Sequence, residues 1–258
     1  STIVSIDNPI EGIYTLELES QRRPYKYSPG QFLHFALDAD YDGVGQWPES
    51  RCFSMQSNPR EETVKMTYAV KGGFTREMEQ TLKAGSEIWL KLPYGNLFQQ
   101  THSKDKTVFI AGGTGITPFL SLFTDESFAG YQNPKIYLGF RSKEFNIYER
   151  EIELLNACIA TFYQDSNGII DIERIFEDNG TDSDYFISGP PAMIKEFGSG
   201  DSEEFLDQLL DNNFKLHDLR WQEKIIPISK EKMMKLYTEE NKKGGFILCI
   251  PSNSDVTI

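Results

Sequence analysis

The apolar pattern changes character about two-fifths of the way along the chain. In the first hundred residues, five stretches read as strands: 3–6, 13–18, 31–37, 63–70 and 87–92. Several alternate apolar and polar positions, as in Tyr14-Thr15-Leu16-Glu17-Leu18, which is the period of a sheet with one buried face. Breaks such as Pro29-Gly30 and Asn58-Pro59 separate them. Short strands at this spacing predict a small antiparallel barrel. From residue 107 on, apolar runs of strand length (108–111, 135–140, 159–163, 185–188) alternate with helix-like stretches at 118–128, 149–156, 171–177 and 205–210. That alternation predicts a parallel sheet covered by helices. The polar stretch 101–106 lies between the two patterns. The expected organisation is a two-domain chain: an antiparallel β-barrel at 1–103, an α/β parallel-sheet domain at 104–226, and a C-terminal extension at 227–258. Within the extension, 229–241 reads as an amphipathic helix with Met233, Leu236 and Tyr237 inward, and 244–250 as a strand.

One stretch organises the second pattern: Val108-Phe109-Ile110-Ala111-Gly112-Gly113-Thr114-Gly115-Ile116-Thr117-Pro118. It predicts a buried strand, a glycine turn and a helix start, with Thr117 as N-cap and Pro118 in the first helical position. Glycines let the backbone turn sharply and approach a ligand closely. Unpaired N–H groups at a helix start suit a phosphate. From Gly113 the pattern is G-x-G-x-x-P rather than the dinucleotide fingerprint with a third glycine, and Arg141, not an acid, stands near the end of the next strand. Both features count against an ordinary Rossmann dehydrogenase. A second strand–turn–helix follows at Ser188-Gly189-Pro190-Pro191-Ala192-Met193. In parallel sheets, ligands sit at the carboxyl ends of strands, which is where both turns are expected.

Three stretches of the β-rich part carry candidate chemistry. In Arg51-Cys52-Phe53-Ser54, strand alternation puts Arg51 and Phe53 on one face. An arginine can fork onto phosphate, an aromatic ring can lie on a flat ligand, and a serine hydroxyl can donate to a ring nitrogen. The same residues also describe a surface arginine beside a core phenylalanine. In Val70-Lys71-Gly72-Gly73-Phe74-Thr75, a strand ends in two glycines and a helix begins near Thr75, continuing through Glu77, Met78 and Leu82 until Gly85. It is either a second anion site or a plain capped helix. Leu92-Pro93-Tyr94-Gly95-Asn96-Leu97-Phe98 closes the barrel pattern, and 38–49 reads as an acidic, exposed loop.

Composition narrows the partners. The 258-residue chain carries a net charge of −13, which disfavours nucleic acid. Its 39% hydrophobic content is enough for real cores. The three cysteines, Cys52, Cys158 and Cys249, are scattered and lack iron–sulfur or zinc spacing, so a reducing compartment, the cytoplasm, is expected and no metal site is. No apolar run reaches membrane-spanning length and no signal peptide is visible, so no membrane insertion by this chain is expected. A start at Ser1 rather than methionine is compatible with a processed chain or one cut from a longer protein. His34, His102 and His217 are scattered and read as structural or surface groups.

In order and spacing, these motifs closely resemble the ferredoxin–NADP+ reductase superfamily of flavoprotein reductases. The family's R-x-Y-S flavin motif stands at Arg51–Ser54, its G-x-x-S/T turn at Gly72–Thr75, and its P-x-G-x-F closure at Pro93–Leu97, with Phe98 one place late. Its A-G-G-T-G-I-T-P motif stands at Ala111–Pro118 and its C-G-P-P-x-M motif at Ser188–Met193. The match covers residues 1–226. The resemblance implies FAD, with Arg51 on flavin phosphate, Phe53 on the isoalloxazine or ribityl part, and Ser54 near flavin N5. Val70, Lys71, Gly72, Gly73, Phe74 and Thr75 would line the pyrophosphate. Gly113, Thr114, Gly115, Ile116, Thr117 and Pro118 would cradle NADPH or NADH, with Gly189, Pro190, Pro191 and Met193 flanking the nicotinamide.

Two departures stand out. Phe53 replaces the family tyrosine, and Ser188 replaces the cysteine beside nicotinamide C4. Ser54 and Ser188 are the candidate catalytic residues. Arg141, with Ser142 and Lys143, favours NADPH, while Asp165 argues for NADH. The implied activity is hydride transfer from NAD(P)H to FAD, followed by single-electron transfer to a protein: a ferredoxin, a flavodoxin or an oxygenase component. The alternatives are a flavin-binding electron-relay subunit with little nicotinamide turnover, or the reductase module of a longer protein with haem or iron–sulfur parts. In the tail, Trp221 and Phe246 are candidates to cover the flavin.

Overall fold

The structure, a computed structural model, describes residues 1–38, 40–180, 183–190, 193, 215–217 and 246–250. The expected helices at 205–210 and 229–241, the segment 218–224, Trp221, Pro191 and Ala192 lie outside the described residues. The chain divides into two compact units: 1–96 with 117–126, and 97–116 with the described residues from 127 on.

The first unit holds β1 (Thr2–Ile10), β2 (Ile13–Glu19), β3 (Phe32–Ala36), β4 (Ser50–Ser54), β5 (Val64–Ala69), α1 (Gly73–Thr81) and β6 (Trp89–Tyr94). Its strands form two three-stranded antiparallel sheets, β1-β2-β5 and β4-β3-β6. Backbone bonds from Ile3 N–H to Ser86 O (3.0 Å) and from Ile88 N–H to Ser1 O (2.9 Å) tie β1 to the segment entering β6. Ile3, Leu16, Leu18, Leu33, Phe35, Val64, Met66 and Ile88, drawn from both sheets, share one buried core. Burial contributes about 1.5–3 kcal/mol for each such side chain, which makes this core the main source of the unit's stability. Helix α1 lays Met78, Phe74 and Leu82 against the same core, as the i, i+4, i+8 spacing requires. Gly85 then turns the chain at φ +87°, a conformation that disfavours any side chain.

Helix α2 (Thr117–Phe123) is buried along its whole length. The sequence pattern places it in the α/β domain, but it groups with the first unit. Long-range polar bonds hold it there. The buried Ser121 Oγ accepts from Gly30 N–H at 2.9 Å and donates to Pro118 O at 3.1 Å. Asn58 Nδ2 donates to Thr124 O at 2.5 Å, and Arg60 Nη1 bonds Glu126 Oε2 at 2.6 Å. No periodicity reports such partners, because they are more than sixty residues away.

The second unit contains β7 (Thr107–Gly112), β8 (Lys135–Phe140), α3 (Glu149–Glu153), β9 (Cys158–Tyr163), α4 (Ile172–Asn179), β10 (Asp184–Gly189), β11 (Lys215–His217) and β12 (Phe246–Ile250). The sheet order is β11-β12-β10-β7-β8-β9. The four strands β10-β7-β8-β9 run parallel, as expected. Strand β12, inside the expected tail strand, pairs antiparallel with β10, and the unforeseen β11 pairs antiparallel with β12. β7 is buried at every residue and so reads as a continuous apolar run rather than an alternating one. One face packs Val108, Ile110, Tyr185 and Ile187 against Ile172 and Ile175 of α4. Asp171 caps that helix, its carboxylate accepting from Arg174 N–H at 3.0 Å. The other face stacks Phe109 on Phe186 at 5.4 Å, with Tyr131 and His102 beside them.

At the outer strand β9, Asn167 stands in for a neighbouring strand. Its Oδ1 accepts from Tyr163 N–H at 2.5 Å and its Nδ2 donates to Thr161 O at 3.0 Å. Those edge groups are thereby closed to another chain.

His102 is held between Gln100 O (2.7 Å) and the Tyr131 hydroxyl (2.6 Å). Burial lowers its pKa, and the nearby Lys104 acts in the same direction, against the opposing pull of the Gln100 carbonyl and Asp184. Burial also lowers His34, with Lys91 adding to it. Both imidazoles protonate more readily in the unfolded chain. Their contribution is therefore complete above the ordinary histidine value of about 6.5 and is lost as pH falls below it toward the folded values. The melting temperature is expected to drop as pH is lowered through that window, and to drop less in His102→Gln. A pH-independent melting temperature between 7 and about 5 would contradict this.

Candidate nucleotide-binding sites

In the first unit, β4 presents Arg51 and Phe53 on one side, in register with Phe35 and Leu33 of β3. Phe53 packs edge-on to Phe35 at 6.1 Å and tilts against Tyr68 at 6.2 Å. Tyr68 stacks in turn on Tyr14 at 5.3 Å, whose hydroxyl donates to Glu79 at 2.9 Å. Burial holds the Tyr68 phenol well above its usual pKa, so this aromatic wall is uncharged at neutral pH. Cys52 and Ser54 alternate to the opposite side. There Cys52 Sγ lies 3.7 Å from the His34 ring nitrogens, and Ser54 pairs with Phe32.

The glycine pair leads into α1 as expected. Gly72 is the N-cap, and with no side chain it leaves the first-turn N–H groups uncapped; the first turn carries no acid. Thr75 Oγ1 instead reaches back, accepting from Lys71 N–H (2.9 Å) and Gly72 N–H (3.1 Å). Val70 N–H bonds Gly12 O at 2.8 Å, anchoring the strand end. A Cβ built on Gly72 or Gly73 meets nothing within 4 Å, so the space before the helix is open. The Arg51 guanidinium sits 4.9 Å over the ring of Phe74, in the first turn of α1. The two motifs, twenty residues apart, thus come together as one cationic centre: a guanidinium beside a helix N-terminus. Sequence reasoning missed the Phe74 contact and also Glu49, whose Oε1 lies 2.6 Å from Arg51 Nη2. The one available signal was nearness in sequence, since Glu49 stands two residues before Arg51, just ahead of β4.

In the second unit, β7 and β10 are parallel neighbours with Ser188 opposite Ala111. Their carboxyl ends therefore release both glycine turns at one sheet edge. Residues Gly113–Ile116 form a 3-10 turn that runs straight into Thr117 of α2. Thr117 is thus the first α-helical residue and not a bare N-cap: helical turning starts at once after the strand, at Gly113. Gly113 has φ +53°, and a Cβ there would meet nothing within 4 Å. Gly115 is the opposite case. A Cβ there would overlap Ser188 O and come within 2.7 Å of Gly189 Cα. Gly112 is roofed by Met193 and Pro190, where a Cβ would come within 2.7 Å of Sδ and 2.9 Å of Cδ. Met193 also crowds Gly189. Ser188 is buried. Thr114, Ile116 and Pro118 complete the turn, and Ile116 and Pro118 are buried.

Arg141 follows β8, exposed, with its guanidinium 5.8 Å from the ring centre of Phe145. Its carbonyl accepts from Asp165 N–H at 3.1 Å, so the two residues that argue for different nicotinamide cofactors are adjacent. Lys143 is paired with Glu149 at 3.3 Å. Among the described residues, no helix is long and apolar enough to cross a membrane.

Gly115, crowded, and Gly113, open, differ in a measurable way. Gly115→Ala forces backbone apart and is expected to cost about 2 kcal/mol or more. Gly113→Ala meets open space and should cost about 1 kcal/mol, from its positive φ alone. Melting curves compare the two; equal effects would contradict the close packing at Gly115.

No protein-family model matches the chain. The chain is 26% identical over 153 residues to the ferredoxin–NAD(P)+ reductase component of the naphthalene 1,2-dioxygenase system of Pseudomonas putida, covering 58% of this chain and 44% of that protein. It is 32% identical over 156 residues to the electron transfer subunit of dihydroorotate dehydrogenase B (NAD+) of Enterococcus faecalis, covering 60% and 57%. The chain thus spans about half the length of these curated relatives. A solved ferredoxin–NADP+ reductase of Neisseria gonorrhoeae, with bound FAD and NADP, superposes with a TM-score of 0.65 at 19% identity, over 85% of this chain and 93% of that one. The fold is that of the ferredoxin–NADP+ reductases, as the motifs implied, and the two curated relatives are named a ferredoxin–NAD(P)+ reductase component and an electron transfer subunit.

Proposed function

We propose that this chain, with its ferredoxin–NADP+ reductase fold, is an FAD-dependent NAD(P)H oxidoreductase that delivers single electrons to a protein acceptor: a ferredoxin, a flavodoxin or an oxygenase component. The observation that carries the reading is convergence within each unit. Arg51 meets the uncapped start of α1, and Gly115 packs on Ser188–Gly189. Residues 1–103 serve the flavin and 104–226 the nicotinamide nucleotide. Residues 227–258 form an extension, of which 246–250 adds β12 to the sheet.

The residues fit the cofactors they would hold. The open space before α1, its uncapped N–H groups and Arg51 suit a pyrophosphate. FAD supplies the step between two-electron hydride chemistry and one-electron transfer. The protein's part is positioning. Arg51 and Gly73–Thr75 bind the phosphates, Phe53 flanks the ring system, and Ser54 donates a hydrogen bond to it. Gly113–Pro118 hold the nucleotide phosphates of NAD(P)H, and Ser188, Gly189, Pro190, Pro191 and Met193 bound the nicotinamide. Ser188 fills the place of a thiol with a smaller hydroxyl, which permits hydride transfer and changes the contact beside nicotinamide C4. The scattered cysteines fit a soluble, cytoplasmic protein.

Anaerobic addition of NADPH or NADH to the FAD-loaded protein is expected to bleach its yellow absorbance. A protein that binds no flavin, or whose flavin neither nucleotide reduces, overturns the proposal. The exposed Arg141 favours NADPH, because a 2′-phosphate gains a charge-assisted partner there. Arg141→Ala is expected to raise KM for NADPH about 10- to 100-fold while leaving that for NADH nearly unchanged. Equal effects on both nucleotides would assign the preference elsewhere.

A second reading has one observation in its favour: the 32% identical relative is named an electron transfer subunit. On that reading the chain bears flavin for a larger complex and turns over nicotinamide slowly by itself. Fast steady turnover of the isolated chain with an artificial one-electron acceptor excludes it.

A further inference from the structure

We infer that Glu49 is an internal competitor for the flavin phosphate at Arg51, and so a residue that sets the protein's affinity for its flavin. The inference rests on the proposed role of Arg51. Glu49 ends the acidic loop 38–49, just before β4, and its side chain turns toward that of Arg51. Its Oε1 holds Arg51 Nη2 at 2.6 Å, while Arg51 Nη1 donates to Ser50 O at 2.9 Å. Phe74 supports the guanidinium from its ring face at 4.9 Å. The guanidinium is thus held in place beside the α1 N-terminus while one of its forks is engaged by a carboxylate.

The start of α1 carries no carboxylate. Gly72 offers no side-chain cap, and no acid stands in the first turn of α1. Glu49 therefore acts at the arginine and not at the helix. A phosphate arriving at Arg51 has to take over the donor that Glu49 occupies, and it meets the repulsion of a nearby like charge. The pair is exposed, with side-chain accessibilities of 47% for Arg51 and 73% for Glu49, so water and salt moderate the competition. Glu49 lowers affinity without closing the site. The Ser50 and Phe74 contacts remain when Glu49 leaves, so Arg51 needs little reordering to receive the phosphate.

The test is a fluorescence titration of the full-length apoprotein with FAD at low salt, for the wild type, Glu49→Gln, Arg51→Gln and the double variant. Melting of the apoproteins checks that each folds. Glu49→Gln keeps the size of the side chain and removes its charge. It is expected to tighten FAD binding about two- to five-fold, an advantage that shrinks in high salt and disappears in the Arg51→Gln background. Unchanged or weaker binding in Glu49→Gln, or an equal gain in the absence of Arg51, overturns the inference. The proposed function fails separately: there, Arg51→Gln leaves FAD affinity untouched. The readout is binding, so no turnover is required.

Discussion

The parallel pairing of β7 with β10 is the constraint on which the nucleotide half depends. Ser188 stands opposite Ala111, so two chain segments nearly eighty residues apart end at the same level of the sheet. At that level the backbones approach closer than any side chain allows, and Gly115 lies on the Ser188–Gly189 peptide. The packing on the two faces holds the register, since a one-residue slip of β10 would carry Phe186 out of its stack on Phe109 and into the face that Tyr185 and Ile187 fill against α4. A ligand turn of this kind is stiff because a core holds it from below. Gly113, by contrast, faces open space at a positive φ, which leaves one part of the turn uncovered.

The first unit solves a similar problem without a parallel sheet. Its core closes two antiparallel sheets around residues of both, and α1 packs on that core through Met78, Phe74 and Leu82. The same helix places Phe74, in its first turn, under the Arg51 guanidinium. Phe74 belongs to both arrangements: it packs toward the core and supports the guanidinium. Stability and the candidate site are coupled at this residue. A cation held against an aromatic face in a fixed direction also loses less freedom on binding than a free arginine does.

Much of this was legible in the chain. Alternation along 13–18 and 63–70, the apolar run 108–111 and the helix stop at Gly85 are local signals, and the elements stand where they predict. The glycine motifs were legible because a conformation or a close approach that only glycine tolerates leaves a mark in the sequence. Other features left no such mark. The helix at 117–123 has an ordinary helical pattern, yet the bond of its Ser121 to Gly30, and those of Thr124 and Glu126 just after it to Asn58 and Arg60, group it with the barrel strands. Thr117 has the composition of an N-cap, but the preceding 3-10 turn moves the start of helical geometry back to Gly113. Asn167 gives no sequence hint that its amide closes the edge of β9.

By itself, the sequence determined the period of each element, the places where only glycine or proline fits, and the order of the motifs. These depend on near neighbours along the chain, whose sterics and hydrogen bonding act locally. The tertiary structure alone decided which motifs meet. Arg51 reaches Phe74, and Gly115 reaches Ser188, because strand register and core burial set those distances. Register is a property of pairs of segments, and no single segment carries it.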